Sequence, residues 1–196
     1  MSIERFLSAL TRLRRRVFKR KEDGRIKERL EVLRSASVFA DLRSSHLAIV
    51  AEVMHERRFR RDEFVYFEGD PGLGLYLIRQ GGVKLTRRDE NEEEVEIAVL
   101  GESDVFGVLS LFEDLRRVES ARSVADTVVY GLFRPDLTAM SNRNPAAAAN
   151  VYRALGRHVG RLYSSLLVCL EDRFGRTSTL EMLSGASGTG EATNSF

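Results

Sequence analysis

One cysteine and three histidines are too few to support several kinds of chemistry in this 196-residue chain. A lone Cys169 forbids an intramolecular disulfide, which suits a reducing cytoplasm. His46, His55 and His158 fall in three separate segments, without His-x-His or His-x-x-x-His spacing. The ligand set of a metal-dependent β-roll enzyme is therefore missing. Cys169 lies in the apolar stretch LLVCL, where a buried, inert thiol is expected rather than a nucleophile. There is no Gly-rich kinase-type loop, no nucleophile elbow and no internal repeat, so the sequence reads as a non-enzyme. No apolar run approaches the roughly 18 to 20 residues that cross a bilayer. The opening MSIERFLSALTRLRRR lacks the uninterrupted apolar stretch and small-residue cleavage site of a secretory signal. The expected location is the cytoplasm.

What is present fits one soluble globular domain with helical extensions: 43% hydrophobic and 31% charged residues. The net charge of +2 hides an asymmetry. Residues 1–34 hold twelve Lys or Arg against five acids, or +7, whereas the remainder carries −5. Three regions follow from this and from the patterning below: a basic extension over 1–34, a folded domain over 35–174 and a flexible tail over 175–196.

Ile3, Phe6, Leu7, Leu10, Leu13 and Val17 recur at helical spacing and predict an amphipathic basic helix over 3–20. After a polar break at 21–24, Ile26, Leu30 and Leu33 continue helical spacing to about residue 35. Ser44 or Ser45 is the expected N-cap of a further helix whose buried face is Leu47, Val50, Ala51 and Met54. From residue 56 the period becomes that of short strands separated by turns at 68–72, 81–82 and 101. Seven or eight such strands close most economically as a small barrel or jelly roll. Pro135 starts a short helix. Asn144-Pro145 starts a long one, with an apolar stripe of Val151, Leu155, Val159, Leu162, Leu166 and Leu170 and a stop at Gly175. Residues 184–196, rich in Gly, Ser and Thr, read as largely disordered.

The order of these elements, the phrase RRDEFVYFEGDPGLGLYLIRQGGVKL and the segment FGVLSLFEDLRR at 106–117 together resemble the cyclic-nucleotide-binding domain, of the catabolite-activator and protein-kinase-A-regulatory type. The resemblance covers roughly residues 34–172. It implies an α+β fold, an eight-stranded antiparallel β-roll (jelly roll) flanked by N-terminal helices and a long C-terminal helix. It also implies that FGVLSLFEDLRR is the phosphate-binding cassette, whose short helix offers backbone N–H groups to a phosphate. Gly107, Val108, Leu109 and Ser110 open that cassette. The gapless register puts the phosphate arginine on Arg117, with Arg116 second, followed by Glu119 and Ser120. Two positions depart from the family pattern. Val108 stands where the family has a glutamate for the ribose hydroxyl, a loss of about 1.5–3 kcal/mol. Glu119, two residues beyond Arg117, would repel a phosphate or pair with the arginine.

These residues imply a non-catalytic regulatory module with altered or weakened recognition of a cyclic nucleotide (cAMP or cGMP) or another phosphate-bearing ligand, acting through protein partners. The alternative is a ligand-free interaction protein, docking to a membrane surface through its basic start. Gly156, Gly160 and Ser164 fall four apart beside Leu155, Val159 and Leu162, a face suited to a homodimer. The shortness of the sequence after the long helix argues against a helix-turn-helix and against nucleic acid as partner.

Overall fold

The computed structural model of the chain describes residues 24–188. The basic helix expected over 3–20 lies outside them. Helix α1 covers residues 24–35, a 3-10 turn covers Ser37–Phe39 and helix α2 covers Ser44–Val53. Eight strands follow: β1 (His55–Phe59), β2 (Phe64–Tyr66), β3 (Gly74–Gln80), β4 (Val83–Arg88), β5 (Glu94–Leu100), β6 (Val105–Phe106), β7 (Ser120–Ser123) and β8 (Thr127–Phe133). A second 3-10 turn, Val108–Leu111, separates β6 from β7. The chain closes with α3 (Arg134–Arg143), α4 (Pro145–Phe174) and α5 (Arg176–Gly188).

The strands form two antiparallel four-stranded sheets, ordered β1-β8-β3-β6 and β2-β7-β4-β5. This is the eight-stranded β-roll that the sequence implies. Alternation along β3 shows why its run GLYLI is apolar on both faces. Leu75 and Leu77 point into one core with the helices, while Ile78 and Tyr76 point between the sheets. The first core joins Leu33 of α1, Val50 of α2, Leu137 of α3, and Val151 and Leu155 of α4. The second, inside the roll, holds Tyr66, Val83, Phe106, Ala121 and Val129.

Several helix ends differ from the sequence reading. Ser44 is the first residue of α2 rather than its cap; Arg43 takes the cap position, and the Ser44 Oγ accepts a hydrogen bond from Arg34 at 3.2 Å. Asn144 and Pro145 do open α4, though the Asn144 side chain makes no capping bond. Gly175 ends it with φ of +80°, a conformation for which glycine lacks the usual steric penalty. Residues 176–188 then form α5 where a flexible tail is expected. Its buried side is marked by Thr179, whose Oγ1 donates to the Gly175 carbonyl at 3.0 Å. Among the described residues no helix is long and apolar enough to cross a membrane.

The fully buried part of the α4 stripe lies in its first half. Val151 and Leu155 are fully buried and Val159 partly so, but Leu162 and Leu166 are 56% and 54% exposed. Leu155 thus belongs to the domain core and is not available to a partner. The same overhang places Cys169 on the surface, against the expectation of a buried thiol. A helix of 30 residues runs about 45 Å, and most of the residues in its second half are exposed.

Candidate functional site

The segment 106–117 leaves the first sheet at Phe106, turns at Gly107 and runs through the short 3-10 turn before returning at β7. Gly107 has φ of +70°. A side chain there would also collide with Nη1 of Arg117, so both backbone conformation and space call for glycine. This turn, the sheet face of β4 and β5, and the middle of α4 enclose a cavity of about 630 Å3. Gly107, Val108, Leu109, Ser110, Arg116, Arg117 and Glu119 all line it. Ser120 does not; its Oγ accepts the Glu68 N–H at 2.9 Å and ties β7 to the preceding turn.

Arg117 is the centre of the site. It is 4% exposed, and its guanidinium lies 4.0 Å from the centroid of the Tyr66 ring and 5.7 Å from that of Tyr76. Nη1 donates to the Gly107 carbonyl at 3.2 Å and to Ser110 Oγ at 3.1 Å, and Nη2 donates to the Gly74 carbonyl at 2.9 Å. Nε is buried and meets no acceptor. Among the described residues no carboxylate pairs with this arginine. The guanidinium is balanced by two carbonyls, the Ser110 hydroxyl and aromatic faces.

Glu119 does not pair with Arg117, one of the two roles expected of it from the sequence, beside repulsion of a phosphate. Its Oε1 accepts a hydrogen bond from the Tyr66 hydroxyl at 2.8 Å. Burial pushes the Tyr66 phenol far above its ordinary range, and the neighbouring Glu119 charge pushes it further. Tyr66 therefore keeps its proton and holds Glu119 to one side of the arginine that stacks on it. Arg116 points elsewhere, donating from Nη1 to the Gly69 carbonyl at 2.7 Å. Val108 is 6% exposed and packs in the main core with Leu111, an apolar contact at the position where the resemblance implies a ribose acid.

The far wall is supplied by residues that the sequence does not assign to the ligand site, Val159 and Leu162 belonging instead to the expected dimer face. Leu85, Ala98 and Leu100 come from β4 and β5, while His158, Val159, Leu162, Tyr163 and Leu166 come from α4. Alternation in Glu94–Leu100 carries the only signal for the sheet side, since Ala98 and Leu100 share one face and Val95, Ile97 and Val99 the other. His158 is partly buried, and burial together with Arg161 lowers its pKa, favouring the neutral ring. Among the described residues no cluster of His, Cys, Asp and Glu is arranged to hold a metal ion.

Comparisons with known proteins agree on the fold. A family model described as the cyclic nucleotide-binding domain matches residues 56–144. The chain is 30% identical over 136 residues to the CRP-like cAMP-activated global transcriptional regulator of Mycobacterium tuberculosis, covering 69% of this chain and 61% of that protein. It is also 30% identical to the cyclic AMP receptor protein of Thermus thermophilus, over 65% of this chain and 59% of that one. The chain thus spans about three fifths of the length of these curated relatives. Among solved structures, the N-terminal domain of a transcriptional regulator from Streptomyces coelicolor A3(2) superposes with a TM-score of 0.62 at 32% identity, covering 67% of this chain and 94% of that domain. The Thermus thermophilus catabolite activator protein gives 0.57 at 30%, covering 68% and 63%. With the two-sheet roll and these relatives in agreement, the chain belongs to the cyclic nucleotide-binding domain family.

Proposed function

We propose that the chain is a non-catalytic regulatory module that receives a small anionic ligand in the cassette cavity, acts through protein partners, and recognises cyclic nucleotides more weakly than its cAMP-activated relatives. The observation that carries this reading is the pairing of a retained, buried Arg117 with a buried Val108. An arginine is the group the family aims at phosphate, and Arg117 lines the cavity. A carboxylate at residue 108 would accept hydrogen bonds from ribose, and an apolar side chain leaves that hydroxyl dry. A ligand that approaches Arg117 competes with its bonds to Gly107, Ser110 and Gly74.

Titration calorimetry with cAMP and cGMP on the full chain tests this. Val108→Glu is expected to tighten binding of a ribose-bearing nucleotide about ten- to hundredfold, the equivalent of 1.5–3 kcal/mol. Unchanged affinity in a variant that melts like the parent would overturn the ribose argument. Silence from every anion with either protein would leave a ligand-free interaction module. The protein contact is proposed to be a second copy, through the uncovered face of α4 that carries Gly156, Gly160, Leu162 and Ser164.

A further inference from the structure

The cavity's polar inventory is short once its internal bonds are counted. Glu119 is held by the Tyr66 hydroxyl, and Asp104 accepts the Gly101 N–H at 2.9 Å. Arg116 is turned to the Gly69 carbonyl, and His158 favours its neutral form. What remains to meet a ligand is Arg117, the His158 ring, the hydroxyls of Ser37 and Tyr163, and a predominantly apolar wall. A ribose and a purine bring hydroxyls and ring nitrogens that need partners, and this wall supplies few.

Two further observations define the ligand. Arg117 is a buried cation with no pairing carboxylate and with an Nε that finds no acceptor. A buried charge in that state is stabilised by an anion of matching size. The rim is also unfinished. Leu109, Val118, Leu162 and Leu166 line the cavity, yet each is 45–56% exposed. An apolar body lying between β5 and α4 would cover them, whereas a sugar would not.

We propose that the cavity binds an amphipathic anion, a carboxylate headgroup at Arg117 on an unbranched alkyl body that runs along the Leu100 and Leu162 wall. This rests on the reading above that the cassette cavity is the ligand site, and it names the ligand class. The volume of about 630 Å3 lies in the usual range for small-molecule sites. The headgroup takes the unspent hydrogen-bonding capacity of the guanidinium, and each methylene removes water from the leucines of the wall.

Calorimetry of the full chain with octanoate, decanoate and dodecanoate, each below its aggregation limit, tests the proposal beside cAMP. One-to-one binding is expected, tightening roughly fourfold for each added methylene while the cavity fills. Arg117→Met is expected to weaken decanoate at least tenfold. Because that variant removes a buried group, Leu162→Glu provides the independent check: the residue is exposed, so the fold is kept, and a charge on the wall is expected to abolish the chain-length dependence. Absence of saturable alkanoate binding, affinity indifferent to chain length, or binding that survives both substitutions would overturn the proposal. If cAMP binds and the alkanoates do not, the ligand class falls while the regulatory reading stands. If neither binds, and Val108→Glu gains no nucleotide, both fall.

Discussion

Arg117 sits where charge would ordinarily be expelled. Its guanidinium is kept by three acceptors and by the face of Tyr66, and the same tyrosine spends its hydroxyl on Glu119. The ring thus separates an arginine from an acid only two positions away along the chain. Tyr66→Phe removes the donor to a partly buried carboxylate, and the expected cost is about 1–3 kcal/mol in urea unfolding. Glu119 is then free to pair with Arg117, so anion binding is expected to fall with it; a variant that is less stable but binds unchanged would show that Tyr66 has no part in keeping the two charges apart. Gly107 is the second sensitive position. Alanine there adopts a φ of +70° and meets the Arg117 guanidinium, so Gly107→Ala is expected to destabilise by about 1–3 kcal/mol in the same assay. A neutral result would mean that the turn relaxes to another conformation.

Helix α4 joins two environments with one sequence pattern. Its boundaries are legible, because Asn144-Pro145 and Gly175 are strong local signals that act through backbone geometry. The stripe at three- and four-residue spacing is legible too. Where the stripe stops being buried is not, since Leu155 and Leu162 obey the same periodicity and differ only in whether a neighbour lies opposite. The exposure of Cys169 follows from the same overhang. Helix α5 escapes reading for a related reason, since a Thr- and Ser-rich segment has modest helix propensity, and the Thr179 bond to Gly175 together with packing against α4 holds it. Gly156 and Gly160 offer a test at this scale. Nothing lies within 4 Å of a methyl group placed at either, so alanine at each is expected to stabilise the isolated chain by up to about 1 kcal/mol. If α4 pairs two copies through this face, the double substitution weakens association in sedimentation velocity although each chain gains stability. Unchanged association would remove the small-residue face from the interface.

At the scale of the whole molecule, the fold follows from turn glycines, strand alternation and the return of helical spacing after residue 134, whereas the site is only half legible. Gly107, Ser110 and Arg117 can be placed by register, because the cassette is a continuous segment. The opposite wall cannot, because Leu100 and Leu162 meet the cassette only after the sheet curls and α4 crosses it. Acid sensitivity belongs to this assembled state. His158 has its pKa lowered by burial against the roll, so below its unfolded value of about 6.5 the unfolded chain binds the proton more readily than the folded one. Stability is therefore expected to be full above that pH and to decline as pH falls through it, and His158→Gln is expected to flatten thermal midpoints measured between about pH 7 and pH 5. Parallel curves for the two proteins would move the acid effect elsewhere. The carbonyls of Gly74 and Gly107 carry a last consequence, because in the resting domain they compete with any ligand for the same guanidinium. Were the released arginine present in about one molecule in a hundred, apparent affinity would drop about a hundredfold. Such a domain stays silent toward traces and answers only to abundance, its set point written in the strength of its own backbone hydrogen bonds.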